Sequence, residues 1–259
     1  MGRTDYHEAP WVFPVELDIH PDVALHLRGW GHWCLYWSRS ARPRCRMDYG
    51  ENQMRLIAVE ANISAGKSTL LPKLAEAIGY TQIQEPVDDP EFRRLLGEFT
   101  KNPTNTEKRL NFQKYITHRR AELLKDIPDG DYIIERSLFS DLVFSQANML
   151  SMERPSGVYL EYYYDIKRRL MDYPQVDCIV YLRTTPEVVY GRLQQRGRPE
   201  EAGTPLEYLK DLHRFHDACL PQICREYKTK LITVDWDDYG ESIGGVEGLV
   251  RLLKKEGVV

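Results

Sequence analysis

No stretch of this 259-residue chain approaches the roughly 18 consecutive apolar residues that a membrane-spanning helix needs, so no membrane partner is expected. Positive charge is not in excess either. Lys and Arg total 35 against 39 acidic residues, a net charge of −4 that speaks against a general nucleic-acid binder. The five cysteines, Cys34, Cys45, Cys178, Cys219 and Cys224, are odd in number and lack the paired spacing of a zinc site. Cys178 falls in an apolar run and Cys219 in a helical one, which predicts reduced, buried thiols. Met1-Gly2 opens like a myristoylation signal, but Tyr6 stands where that signal needs Ser or Thr. Lysine is missing from the first 53 residues, which instead hold four of the five Trp and four of the seven His. Asp5, Glu8, Glu16, Asp18 and Asp22 speak against a mitochondrial transit peptide, which is poor in acids. The aromatic density predicts a segment that packs on something, since disordered tails are poor in aromatics. His20, His26 and His32 match no metal-site spacing. What remains is an ordinary globular composition, 42% hydrophobic and 29% charged, with enough chain for a sizeable core. Residues 1–53 read as an N-terminal extension of unassigned role and residues 54–259 as the main domain. The expected compartment is the cytoplasm, with the mitochondrion left open.

The main domain is organised around Val59-Glu60-Ala61-Asn62-Ile63-Ser64-Ala65-Gly66-Lys67-Ser68-Thr69. An apolar run, Leu56 to Val59, precedes it, and the helical pattern Leu70, Leu71, Leu74 follows. A strand, a tight turn and a helix N-terminus in that order make a phosphate cradle, because backbone N–H groups and the helix dipole face an anion. Lys67 adds a full charge toward the outer phosphates, and Ser68 offers a hydroxyl to Mg²⁺. Ala61 occupies the place of the first glycine in G-x-x-x-x-G-K-S/T. Alanine has less backbone freedom than glycine, so a cost in nucleotide affinity is expected there.

Short apolar runs then alternate with longer helical patterns, the signature of an α/β fold with a parallel sheet. The predicted strands are 55–60, 81–84, 131–135, 177–182 and 229–234. Ligand chemistry in such sheets collects beyond the carboxyl ends of the strands, and charged residues cluster there. Glu85 follows the second strand and is itself followed by Pro86, which biases it away from helix. Glu135-Arg136-Ser137 ends the third. After the fourth, Arg192 and Arg196 share a helix face at i, i+4. That helix leads into Gly197-Arg198-Pro199-Glu200-Glu201-Ala202-Gly203, which has the look of a mobile cover. Phosphoryl transfer needs this set: cations, Mg²⁺ and one acceptor for a hydroxyl proton. On a predicted helix near 106–125, Gln113 and Arg120 lie about 10 Å apart on one face. With Asp141 they form an amide, a guanidinium and a carboxylate able to read a base edge. A surface Arg120–Asp141 pair is an equal reading of the sequence.

Several stretches are similar to the deoxyribonucleoside kinase family: Ala61 to Thr69, Glu85-Pro86-Val87, Phe112-Gln113, Ile134 to Asp141, and above all Arg192 to Leu209. The resemblance runs from about residue 54 to the C-terminus. It implies a five-stranded parallel sheet flanked by helices, with a helical lid. It implies Glu85 as the general base for the 5′-hydroxyl, and Lys67 and Ser68 on phosphate and metal with Asn62, Ile63, Ser64, Ala65, Gly66 and Thr69 around them. Arg136 would stabilise the transferring phosphoryl group and Glu135 would lie near the metal. Arg192, Arg196 and Arg198 match lid residues over the donor phosphates. Glu201 matches a carboxylate on the sugar 3′-hydroxyl, and Gln113 an amide on the base.

Arg120 and Asp141 resemble deoxycytidine and purine deoxynucleoside kinases, which implies an amino-bearing base, since a carboxylate accepts from an amino group and repels a thymine carbonyl. Thr100 stands where the family usually has a tyrosine near the 3′-hydroxyl. No tryptophan follows Glu85-Pro86-Val87. The implied activity is ATP-dependent 5′-phosphorylation of a deoxynucleoside with Mg²⁺, by a homodimer built on helices near 106–125 and 137–150. Two alternatives stand beside it: a non-catalytic kinase-like nucleotide-binding subunit, and an enzyme whose acceptor is a nucleoside monophosphate.

Overall fold

Five runs of aliphatic and β-branched residues form the strands expected of them. The computed structural model describes residues 54–150 and 157–259, so the readings made of residues 1–53, including Cys34 and Cys45, lie outside the described residues. The strands are β1 (Arg55–Ala61), β2 (Thr81–Ile83), β3 (Asp131–Glu135), β4 (Cys178–Arg183) and β5 (Lys230–Asp235). Each lies within a residue of its predicted bounds. The late start of β4 has a local cause, because the Asp177 carboxylate accepts the Leu56 N–H at 2.9 Å and substitutes for one rung of the ladder.

All pairings are parallel, and the strand order is β2-β3-β1-β4-β5. Among the described residues seven α-helices connect them and an eighth follows β5: α1 (Lys67–Ile78), α2 (Pro90–Lys101), α3 (Thr106–Leu123), α4 (Leu138–Leu150), α5 (Gly157–Asp172), α6 (Pro186–Arg196), α7 (Leu206–Glu226) and α8 (Gly245–Lys255). The connection leaving β1 crosses toward β2, and the one leaving β3 crosses toward β4. Two adjacent strands whose exits diverge leave a crevice at their carboxyl ends. The ends of β1 and β3 carry Asn62 to Lys67 and Glu135-Arg136, so the fold itself brings the two motifs together.

Alternation along β1 divides the packing between two faces. Ile57, Val59 and Ala61 face a core built with Leu71 and Leu74 of α1, Val180 and Leu182 of β4, and Leu249 and Leu253 of α8. Leu56, Ala58 and Glu60 point the other way. A second cluster joins Phe99 of α2, Ala147 of α4, and Tyr208 and Leu212 of α7, with Phe112 and Phe144 packed against it. Phe99 and Phe112 stack with ring centroids 6.0 Å apart, and this aromatic wall lines the crevice. Cys178 and Cys224 are buried and Cys219 half-buried, all as free thiols; burial pushes each up to about 12 and keeps it inert. No helix among the described residues is long and apolar enough to cross a membrane.

Candidate active site

Between β1 and α1 the chain turns through Ser64 at φ 61° and Gly66 at φ 102°. A side chain at Gly66 would meet the Tyr239 ring at 3.0 Å, so both the left-handed backbone and the close aromatic neighbour require glycine. Ala61 makes no such demand. It is an ordinary β1 residue paired with Leu182, and its φ is not positive, so the alanine costs the loop nothing. Asn62 pins the loop from beneath, donating to the Leu209 carbonyl at 2.8 Å while its own Oδ1 accepts the Ile63 N–H. Lys67 is buried and donates to the Asn62 carbonyl at 3.2 Å. Burial, aided by the nearby Arg136 charge, pulls its ammonium down to about 7. The Ser68 hydroxyl lies 3.1 Å from both oxygens of Glu135, bridging the β1 and β3 sides.

A cavity of about 310 Å³ opens over this loop, within the range of small-ligand sites. Ile63, Ser64, Lys67, Ser68, Glu85, Glu135, Arg136, Gln113, Arg120, Asp141, Arg196, Arg198 and Glu201 all line it. Asn62, Ala65, Gly66 and Thr69 shape the loop without lining the cavity. The expectation of a surface Arg120–Asp141 pair fails. Arg120 is buried on α3 and ion-paired with two carboxylates, Asp141 of α4 and Glu85 after β2. Arg136 flanks the other Glu85 oxygen at 3.9 Å. Burial works to raise the Glu85 pKa, but Arg120 and Arg136 outweigh it and hold the group below its ordinary value. At Asp141 burial wins over Arg120, and the carboxyl is pushed up to about 6. The buried Gln113 Oε1 has no hydrogen-bond partner among the described residues. Such an atom is costly to leave without a partner, and it belongs to a residue that lines the cavity.

Arg136 adopts φ 64°, rare for a residue with a side chain. Its N–H is held by the Val59 carbonyl at 3.1 Å. Its guanidinium donates to the Ala61 carbonyl at 2.9 Å and lies 4.8 Å from the Phe144 ring centroid.

The segment expected to form a cover lies against α2. Gly197 ends α6 in the left-handed region, and Pro199–Glu201 forms a single 3₁₀ turn. Thr100 of α2 donates to the Glu200 carbonyl at 2.5 Å, and a side chain at Gly203 would lie 2.5 Å from the Thr100 carbonyl. Thr100 thus secures the cover's backbone, so the residue that replaces the family's tyrosine has its own structural task. Arg196 is ion-paired with Glu201, and Arg198 stands 3.9 Å from the same carboxylate. Arg192 is elsewhere. It does not line the cavity, but donates to the carbonyls of Ala65, Trp236 and Asp237 at 3.1, 3.1 and 2.7 Å, with its guanidinium 3.6 Å from the Tyr239 centroid. The helical spacing that groups Arg192 with Arg196 is real, but one turn of rise separates a loop clamp from a cavity residue.

Three contributors escape the sequence reading: Glu60, Tyr239 and Arg109. Arg109 is buried 5.3 Å from the Phe99 centroid. Glu60 had a signal, a charge inside an apolar strand.

Residues 57–246 match the family model described as deoxynucleoside kinase. The chain belongs to that family. As a deoxynucleoside kinase it is a transferase that phosphorylates deoxynucleosides. Among curated relatives, a deoxycytidine kinase assignment of Fowlpox virus (strain NVSL) is 29% identical over 187 residues, spanning 70% of this chain and 78% of the relative. The mitochondrial thymidine kinase 2 of Homo sapiens is 33% identical over 180 residues, spanning 64% of each. Among solved structures, a deoxyadenosine kinase from M. mycoides with bound dATP superposes with a TM-score of 0.60 at 22% identity, covering 77% of this chain and 99% of that one. This likeness supports the kinase's fold, and the three relatives differ in the base they are named for.

The shared guanidinium makes a stability prediction. Arg120→Met strands two buried carboxylates and should cost about 3–5 kcal/mol in urea unfolding, with Asp141→Ala in the same chain recovering part of the loss. A cost below about 1 kcal/mol for Arg120→Met would contradict the buried pairing.

Proposed function

We propose that this kinase transfers the γ-phosphoryl group of ATP to the 5′-hydroxyl of a deoxynucleoside whose base carries an exocyclic amino group: adenine, guanine or cytosine. The observation that carries this reading is the double ion pair of Arg120, which joins a would-be base-reading carboxylate, Asp141, to a would-be general base, Glu85, inside one cavity. In this reading Gln113, Arg120 and Asp141 receive the base, whose amino group donates to Asp141. Glu201, already turned inward toward Arg196, receives the sugar 3′-hydroxyl.

Glu85, held below the ordinary carboxylate range, is unprotonated at neutral pH and accepts the 5′-hydroxyl proton as that oxygen bonds to the γ-phosphorus. The bond from the γ-phosphorus to the bridging oxygen breaks, and ADP leaves. Lys67 and the α1 N-terminus hold the donor phosphates. Arg136 meets the charge on the moving phosphoryl group, and Arg196 and Arg198 close from the lid. Arg192 serves the donor indirectly by fixing the Ala65 carbonyl.

The residues present suit Mg²⁺. Ser68 and Glu135 supply oxygen ligands side by side, and Mg²⁺ favours one or two protein oxygens together with substrate phosphates and water. Bound there, the ion would neutralise charge on the donor phosphates.

The homodimer belongs to the same proposal, with one added surface. The helix α4 is buried or half-buried along its described length, and α3 turns the polar row Glu107, Asn111, Lys114, His118 and Glu122 outward. By contrast, α5 exposes Tyr164 and Met171, seven residues apart, and permanent interfaces favour apolar faces. We therefore add this face of α5 to the pairing expected on the helices near 106–125 and 137–150. A monomeric mass by light scattering would remove this part. The expected compartment stays the cytoplasm, with residues 1–53 a separate extension; a mitochondrial location of the tagged intact chain would overturn the first.

Transfer from ATP with Mg²⁺ to each of the four deoxynucleosides tests the reaction. Phosphorylation of deoxyadenosine, deoxyguanosine or deoxycytidine is expected, falling by at least about 100-fold in Glu85→Gln. Turnover unaffected by Glu85→Gln would sink the assigned base. Specificity should follow Asp141. Its carboxylate form is present above about pH 6 and is lost as pH falls through that value, so the kcat/KM preference for an amino-bearing base over thymidine should shrink between pH 7 and pH 5. Asp141→Ala with Arg120→Met should shrink it at all pH values. A preference unmoved by both changes would exclude Asp141 from base selection.

A further inference from the structure

Glu60 is the most deeply buried acid of the described chain that the reaction scheme leaves unused: its exposure is 0%, at the centre of the sheet on the face it shares with Leu56 and Ala58. A carboxylate there costs several kcal/mol of lost hydration unless it is fully hydrogen-bonded, and an apolar residue would complete the packing of that face more cheaply. All of its hydrogen bonds reach one place, the β3–α4 junction. Oε1 accepts from the Ser137 N–H and from the Ser137 hydroxyl, both at 2.8 Å, and Oε2 accepts from the Ser140 hydroxyl. Glu60 therefore caps the first turn of α4 from across the sheet, where negative charge is also favoured by the helix dipole.

The residue immediately before that cap is Arg136. Its φ of 64° is an unfavourable conformation that persists only where the surroundings impose it. The Val59 carbonyl grips the Arg136 N–H before the bend and Glu60 grips the Ser137 N–H after it. Both grips come from consecutive strand positions of β1. The side chain is reached as well, because the Arg136 guanidinium donates to Ser140 Oγ at 3.4 Å and to the Ala61 carbonyl at 2.9 Å. Ser140 thus passes a hydrogen-bonded chain from Glu60 to the guanidinium.

We infer that Glu60 is a positioning residue for phosphoryl transfer, holding the strained β3–α4 bend so that Arg136 points into the cavity over the phosphate-binding loop. The inference rests on the assignment of Arg136 to the transferring phosphoryl group. Glu60 touches no substrate. It acts on turnover through the placement of one guanidinium, and displacements of about 1 Å at such a group cost on the order of 100-fold in rate.

The test is a double-mutant cycle in the intact chain, reading kcat and KM per nucleotide-binding molecule with ATP, Mg²⁺ and the best of the four deoxynucleosides. Arg136→Ala alone should lower kcat by on the order of 10³-fold. If it does not, the assignment of Arg136 fails and the inference falls with it, whatever Glu60 does. Glu60→Ala should lower kcat by about 100-fold with KM changed less than about threefold. In the Arg136→Ala background the same change should cost less than about threefold, because residues acting as one unit are not additive. Glu60→Gln, which retains an acceptor for Ser137 and a polar partner for Ser140, should recover most of the activity. An equal loss from Glu60→Ala with and without Arg136 would show a general structural role and overturn the inference. So would Glu60→Gln proving as damaging as Glu60→Ala. Should Glu60→Ala not fold, Ser140→Ala takes its place in the same cycle, with the same two outcomes decisive.

Discussion

Everything around the cavity depends on charges that compensate one another out of water. Arg120 and Arg136 are buried as ion partners of Glu85 and Asp141, and breaking such a pair strands the other charge; Lys67, Glu60 and Glu135 are buried around them. Their elements are sequence-distant: β1, the end of β2, α3, β3 and α4 each supply at least one. The parallel sheet is what makes the set possible. By diverging, the exits of β1 and β3 open a crevice, and the charges close its floor by pairing across it. Arg120 is the clearest case, since one planar guanidinium with its fixed fork of donors serves two carboxylates on different elements.

The same compensation sets the chemistry of single groups. Glu85 and Asp141 share one partner yet shift in opposite directions, Glu85 down and Asp141 up to about 6. The difference lies in Arg136 and, less strongly, Lys67, further cations that act on Glu85 while Asp141 has Arg120 alone. Two carboxyl groups pushed apart in this way fit the different tasks proposed for them, one as proton acceptor and one as reader of a hydrogen-bond donor.

Much of this was legible in the sequence because it rests on local patterns. The strands emerged to within a residue, since burial on both faces of a parallel sheet demands apolar runs. The loop from Asn62 to Lys67 and the acids at the strand ends followed from the topology such runs imply. What escaped depends on partners that spacing does not reveal. Nothing near Arg120 in sequence announces that Glu85, 35 residues away, shares it with Asp141. Arg192 and Arg196 sit on one helix face, yet the turn after β5 captures only the first. The charges and glycines of the segment after Gly197 are conspicuous in the sequence, whereas the Thr100 hydroxyl that joins it to α2 is not. Ala61 reads as a substituted glycine, and only the structure shows that it sits inside β1 without a left-handed backbone.

The loop between β1 and α1 owes its shape to the far end of the chain. Gly66 is packed by Tyr239, and the Ala65 carbonyl is held by Arg192, which in turn grips the Trp236 and Asp237 carbonyls. Contacts spanning that much sequence are slow to form, because a long loop must close before they repay its entropy. During synthesis the loop emerges early, but its supports leave the ribosome only with the last strand and the turn beyond it. A chain that ends before residue 236 therefore carries the loop motif without the Trp236, Asp237 and Tyr239 groups that support it.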